Sequence, residues 1–337
     1  MSRIILTDRG SFLGKSGEQF RISRKDEPDV LIPARKVEQI LVLGSGISVS
    51  SDAIEMADEL GVETVFASYY GKPRARLIPA SLGGTVKTRR EQYHAYDDHR
   101  GPELAKSFIR GKLRNQASLL KSFAKKWKGE RMELWQEFRA ASEAIESMIP
   151  ELDLIKGDLE ICRERIMGVE GLGADIYWKT WGKLIPGEWT FPGRDYPAAK
   201  DPINSLLNFG YYILEQEVWA ATLYAGLDPY AGFLHADRPG QEKLVYDMME
   251  EFRPIVVDRV VVSLARVMLP GHFQEDCRMT KDGIKIASSA FYSRLDERIT
   301  YREKSQLIRS IIRSQASTVA AFLRGERTCY EPFTPRW

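Results

Sequence analysis

A chain of 337 residues, 43% hydrophobic and 28% charged with a formal net charge of +2, is long enough for more than one hydrophobic core, so two domains are expected. Mean hydropathy is −0.33; no apolar run reaches membrane-spanning length, and the polar opening MSRIILTDRG does not read as a secretion signal. Cys162, Cys277 and Cys329 are widely spread and form no CxxC pair, which points to a reducing cytoplasm and away from a structural zinc site.

Residues 1–85 read as a β-rich domain. The runs RIILT, FRIS, VEQILVLG, VETVFAS and ARLIP are separated by Gly, Asp, Ser and Pro turn signals. One helix interrupts them, over AIEMADEL, with Ser51-Asp52 as its cap and Gly61 as its stop. Residues 86–100 read as a linker. From 101 to 337 the periodicity is helical: a long helix from Pro102 to about Lys128, a second near 130–149 ending at Pro150, and a third opening on Asp201-Pro202, an N-cap with proline in the first turn. Two or three shorter helices fill 241–267, and HFQEDCRMTKDGIKIAS reads as a small hairpin turning at Lys281-Asp282-Gly283. A last helix is expected over roughly 304–325. The predicted class is α+β, a β-rich N-terminal domain followed by a larger all-α domain.

Charge is unevenly spread. Residues 106–128 (KSFIRGKLRNQASLLKSFAKKWK) are rich in Lys and Arg and contain no acid. Such a face could hold phosphates through counterion release, or it could be a solvated basic helix.

Several short motifs are incomplete. Gly10-Ser-Phe-Leu-Gly14-Lys15-Ser16 has one residue too few between its glycines for a Walker loop, and a strand follows it where a helix is required. Gly44-Ser45-Gly46 lacks the third glycine of a dinucleotide fingerprint and reads as a turn. Glu91-Gln92-Tyr93-His94 is a single Glu-x-x-His, whereas a di-iron bundle needs two.

Three positions remain. In IMGVEGLGADIYWKTW, helical spacing aligns Glu170 with Ala174, Tyr177, Trp178 and Trp181, so a carboxylate shares the stripe of large apolar residues. Buried there it must find a cation; at a glycine-rich helix start it could instead remain in water. In LVYDMMEEFRP, Leu244, Val245, Met248, Met249 and Phe252 form an apolar face, with Asp247, Glu250 and Glu251 directed broadly away from it. Asp247 and Glu250 are i, i+3 neighbours that repel unless a cation joins them. His235, after Phe233-Leu234 and before a turn, fits a hydrogen-bonded core residue or a ligand. Two carboxylates and an imidazole together suit Mg²⁺ or Mn²⁺ and leave positions for water and a phosphate oxygen.

IPARKVEQILVLGSGISVSSDAIEMADELGVETVFASYYGKPRARLIP, then RREQY, GKLRNQASLL, EGLGADIYW, DPINSLLNFGYYILEQEV, GFLHADRPG and YDMMEEFRP occur in an order that resembles the CRISPR-associated integrase family, the first of the two universal adaptation proteins. The resemblance spans nearly the whole chain. It implies a metal-dependent DNA endonuclease and integrase that inserts spacers into a CRISPR array, working as a cytoplasmic homodimer with the small second adaptation protein on double-stranded DNA, both spacer precursor and repeat. It implies that the N-terminal domain serves dimerisation. The implied metal ligands are Glu170, His235 and Glu250, with Asp247 beside them. Arg238 and Arg253 are expected to border the ion and grip phosphate, and DNA is expected along Arg110, Lys112 and Arg114, with Arg90 a further contact. Two departures, Arg238 where relatives can carry lysine and GLGAD where an alanine pair is common, remove no ligand. A non-specific metal-dependent nuclease and a non-catalytic nucleic-acid scaffold are the competing readings.

Overall fold

The computed structural model describes residues 2–68, 73–78, 86–195 and 199–335, in two units, Met1–Gly83 and Gly84–Trp337. Residues 79–85, where the expected domain boundary falls, lie outside the described residues.

The first unit has two four-stranded sheets. Strands β1 (Ser2–Leu6), β5 (Val37–Leu43) and β7 (Glu63–Ala67) pair in parallel, with β8 (Pro73–Leu77) antiparallel at the edge, in the order β1-β5-β7-β8. β5 reads VEQILVL and buries nearly every residue, as a central parallel strand covered on both faces must. The other sheet, ordered β4-β3-β2-β6, joins β2 (Phe12–Ser16), β3 (Gln19–Ser23), β4 (Val30–Pro33) and β6 (Ser48–Val49). Gly14 of the rejected phosphate-loop motif lies inside β2, and β3 is the strand expected after it. β2, β4 and β6 are not anticipated from the sequence because each is short, five, four and two residues. Helix α1 (Ser51–Glu59) begins two residues earlier than anticipated, with Ser50 as its cap: the Ala53 N–H donates to Ser50 Oγ at 3.2 Å. Leu6, Leu13, Phe20, Ile40 and Met56 belong to the buried core of this unit.

The second unit is mainly helical. α2 (Val86–His94) occupies the stretch read as linker, and α3 (Arg100–Ala124) follows. Then come α4 (Met132–Ser147), α5 (Glu151–Leu154), α6 (Leu159–Trp181) and α7 (Pro202–Tyr224). Asp201 caps α7 as its sequence indicates, accepting the Asn204 N–H at 2.8 Å ahead of Pro202. α8 (Lys243–Met249) leads through a π-helical turn at Arg253–Asp258 into α9 (Arg259–Leu264). α3 is the central helix: Phe108, Ile109, Leu113, Ala117 and Leu120 are fully buried, each such side chain stabilising the fold by roughly 1.5–3 kcal/mol except the smaller alanine.

Two local expectations are corrected. Lys281-Asp282-Gly283 is not a hairpin turn but the first turn of α10 (Lys281–Leu295), whose cap Thr280 accepts the Gly283 N–H at 3.3 Å. Thr-Lys-Asp-Gly carries both a turn signal and a cap signal, and the apolar positions beyond it decide for helix. The bridge pairing in this region, Phe273 with Met279, comes just before. The helix expected from 304 starts later, because β9 (Arg298–Tyr301) and β10 (Lys304–Leu307) form a hairpin before α11 (Ile308–Leu323). This hairpin means the second unit is not all-α. Among the described residues no helix is long and apolar enough to cross a membrane.

Candidate metal centre

Three segments distant in sequence meet beside α3. Gly173 of α6 packs against α3: a Cβ there would come within 2.5 Å of Leu113 Cδ2, so a larger residue would require that leucine side chain to shift. On another side, a Cβ on Gly111 would meet Pro332 Cβ at 2.7 Å and Glu251 Cβ at 2.9 Å. Lys112, next to both Gly111 and Leu113, is thereby brought between α6 and the segment after α8. Its ammonium lies 2.5 Å from Glu170 Oε1 and 2.6 Å from Glu250 Oε2. Two carboxylates from separate segments thus converge on one cation.

The electrostatics follow from burial and pairing. Burial works to raise the Glu250 carboxyl, but Arg253, Lys112 and His235 outweigh it and bring it down to about 2. Burial alone would lower the Lys112 ammonium; attraction to Glu250 and Glu170 overcomes this and holds it above its usual range. Arg253 Nε donates to Glu250 Oε1 at 3.0 Å, and its guanidinium stacks on Tyr211 with its centre 4.7 Å from the ring centroid. Behind it, the hydroxyls of Tyr211 and Tyr177 each donate to Asp258 at 2.7 Å. Burial pushes the Asp258 carboxyl up to about 6 against the pull of those two donors and Arg253.

His235 is held from the opposite side. Asp247 accepts the backbone N–H groups of Phe233 at 2.6 Å, Leu234 at 2.8 Å and His235 at 3.0 Å, and its Oδ1 lies 2.7 Å from His235 Nδ1. A carboxylate that only accepts assigns the proton to Nδ1 and leaves Nε2 with the free lone pair, the arrangement of a metal-ligating histidine oriented by an acid. The loop before His235 is pinned by Gln92 of α2, whose amide donates to the carbonyls of Asp228 at 2.9 Å and Ala231 at 2.8 Å and accepts the Asp228 N–H at 2.8 Å. Arg163 of α6 donates to the Phe233 carbonyl at 3.0 Å. The single Glu-x-x-His motif has a structural part: Glu91 pairs with Arg100 at 2.8 Å.

Asp247, Glu250 and Glu251, read as directed away from the apolar face, are all buried. Helix α8 and the following turn are packed on every side, so their acids are satisfied internally. Glu251 accepts from the Tyr330 hydroxyl at 2.7 Å and the Phe333 N–H at 2.8 Å, and burial lifts its carboxyl to about 7.

Among the described residues no three His, Cys, Asp or Glu side chains are already grouped to hold an ion. The donor chemistry nevertheless fits a hard divalent cation: Glu170 and Glu250 share one ammonium, and Asp247 orients the His235 imidazole. The predicted phosphate-binding residues separate. Arg114 and Arg90 are exposed, Arg110 is drawn to Asp153 at 2.5 Å, and Lys112 points inward. Helical geometry explains the split: Arg110 and Arg114 are one turn apart on one side, with Lys112 on the other. Arg253 is committed to Glu250 and Tyr211, whereas Arg238 is exposed at a cavity of about 720 Å³ that His235 and Lys243 also line. Burial and nearby Arg238 lower the Lys243 ammonium; Glu160 and Glu164 line the same cavity.

The model of the family described as CRISPR associated protein Cas1 matches residues 4–293. The chain belongs to the Cas1 family. The CRISPR-associated endonuclease Cas1 1 of Archaeoglobus fulgidus is 37% identical over 347 residues, covering 99% of this chain and 100% of that protein. A solved casposase bound to integration product matches with a TM-score of 0.83 at 25% identity, over 99% of this chain and 93% of that one. A Cas6-RT-Cas1–Cas2 complex shares the fold, with a TM-score of 0.78 at 14% identity over 100% of this chain and 36% of that one. Within this Cas1-family chain, the residues missed from sequence are Gln92, Tyr211 and Asp258, together with the inward role of Lys112. A buried glutamine bonded to a distant loop leaves no periodic mark, and a lysine in a basic run looks like its neighbours.

Proposed function

We propose that this Cas1-family chain is a metal-dependent DNA endonuclease and integrase that joins a spacer to a CRISPR repeat by strand transfer. The observation that supports it most is the convergence of Glu170 and Glu250 on one cation, with His235 oriented by Asp247 alongside. Glu170, Glu250 and His235 would hold Mg²⁺ or Mn²⁺, which supplies Lewis-acid stabilisation of the charge on a phosphate under attack. Asp247 keeps the His235 lone pair directed outward. Arg253 neutralises Glu250 and limits its motion. Arg238 and Lys243, at the cavity beside His235, offer cations to a DNA phosphate. When a DNA 3′-hydroxyl attacks the repeat phosphodiester, one P–O bond forms as another breaks and the departing 3′ oxygen takes up a proton. Water attacking in its place gives hydrolysis.

On this reading the chain acts in the cytoplasm as a homodimer, with residues 1–85 serving dimerisation. It works beside the small second adaptation protein on spacer-precursor and repeat DNA. The family membership and the shared fold with a chain in a Cas1–Cas2 complex support those partners. Exposed Arg90 and Arg114 are the phosphate contacts most open to a duplex.

The test is a Mn²⁺-dependent assay with donors carrying a free or a blocked 3′-hydroxyl. Strand transfer should require the free hydroxyl and disappear in Glu170→Gln and His235→Ala. Cleavage indifferent to the donor end would favour a nuclease without integrase activity, and full activity in either variant would remove the proposed centre.

A further inference from the structure

The charge balance around Lys112 carries a further inference, which rests on the ion-binding reading above. Glu170 and Glu250 are matched by two monovalent cations, Lys112 and Arg253. The four groups are shielded, with side-chain exposures of 14% for Lys112, 17% for Glu170, 5% for Glu250 and 20% for Arg253. A divalent ion added to an already balanced cluster leaves surplus positive charge in a poorly solvated volume, so a monovalent cation must give way. Arg253 is poorly placed to leave. Its Nε bonds Glu250, its guanidinium lies on the Tyr211 ring, and Tyr211 is itself tied to Asp258. Lys112 is different: the ammonium is a point charge on a flexible four-carbon stem, and its contacts are the two carboxylates.

We propose that Lys112 is the resident counter-cation of this centre: it keeps Glu170 and Glu250 together when no ion is bound, and it yields to a divalent ion by competing for the same two carboxylates. It is thus a positioning residue that sets the threshold of ion binding. Without its charge, two neighbouring carboxylates, one buried and one partly so, repel each other, and an ion relieves that repulsion. Lys112 therefore exchanges ion affinity for stability of the centre.

The experiment titrates Mn²⁺ alone into the full chain, with free Mn²⁺ read by electron paramagnetic resonance, and follows thermal unfolding in EDTA and in Mn²⁺. Lys112→Met should bind Mn²⁺ about tenfold or more tighter than the wild type, since a competing cation is gone. It should also melt lower in EDTA and gain more from Mn²⁺. Lys112→Arg, which keeps the charge, should stay near the wild-type affinity. Should the methionine variant fail to fold, Lys112→Gln carries the same expectation, because it keeps a donor for the carboxylates without the charge. Unchanged or weaker Mn²⁺ binding by the uncharged variants, with binding still abolished by Glu170→Gln, would overturn this role while sparing the ion site. Absent binding in the wild type, or binding that survives Glu170→Gln, would overturn both.

Discussion

Asp247 Oδ1 lies 2.7 Å from His235 Nδ1, and the same carboxylate accepts three consecutive backbone N–H groups, those of Phe233, Leu234 and His235. One acid therefore builds the loop and orients the imidazole. Asp247→Asn keeps the shape but turns an NH₂ toward these donors. It should weaken Mn²⁺ binding or strand transfer by about 10–100-fold, the usual effect of losing the group that orients a ligand. Affinity and rate within twofold of wild type would show that the carboxylate is not needed to orient the ring.

The crossing of α3 with its neighbours depends on absent side chains. A Cβ at Gly111 would sit 2.7 Å from Pro332 Cβ and 2.9 Å from Glu251 Cβ, neither of them the far end of a flexible chain. Gly111→Ala should therefore cost about 1–3 kcal/mol in urea unfolding through overpacking. Because the same close approach places Lys112 beside Glu250, Mn²⁺ affinity should change as well. A stability loss below about 0.5 kcal/mol, as for an ordinary surface substitution, would mean that the backbone relaxes easily there.

Asp258 gives a pH signature. Its carboxyl is raised by burial from 3.8 to about 6, so the unfolded chain loses this proton at lower pH than the folded one. The stabilisation is fully present below about pH 4 and is lost as pH rises through about 6. The shift corresponds to a change of roughly 3 kcal/mol across that window. Asp258→Asn should remove this component, so the difference in unfolding free energy between variant and wild type should vary with pH between 4 and 7. A difference independent of pH would show that the carboxyl titrates alike in both states.

Arg90 and Arg114 are exposed, while Arg110 is paired with Asp153. Replacing Arg90 and Arg114 by Ala should weaken duplex binding irrespective of sequence and lower the slope of log affinity against log salt by about 1 for each phosphate no longer neutralised. Arg110→Ala should change the slope less. An unaltered slope in the double variant would place the DNA on another face.

Much of the architecture can be read directly from the residues. The apolar run VEQILVL makes a buried strand wherever it lies, and Asp201-Pro202 caps a helix through its own side chain; these are local forces whose range is a few residues. The alignment of Glu170 with Tyr177 and Trp181 likewise follows from the helical period, and both aromatics are buried. Residues 281–283 went the other way, because Gly283 favours a turn locally while the packing of Ile284, Ala287 and Phe291 favours helix. The strands before α11 were missed for a related reason: their hairpin turns through Arg302 and Glu303, both with positive φ (47° and 64°), and neither is a residue that announces such a turn.

Residue order was enough for the two-part α+β plan, for the family likeness and for singling out Glu170, His235, Asp247 and Glu250 as candidates, since these rest on short-range periodicity and motif order. Three-dimensional packing was needed to show that the acids of the α8 segment face inward, that Gln92 pins the histidine loop, and that Lys112 stands between Glu170 and Glu250 while its neighbours Arg110 and Arg114 face away. Those facts depend on how closely α3 and α6 approach and on burial from several directions at once. Side chains far apart along the chain meet only where whole helices pack, and no local pattern records which of them will face each other.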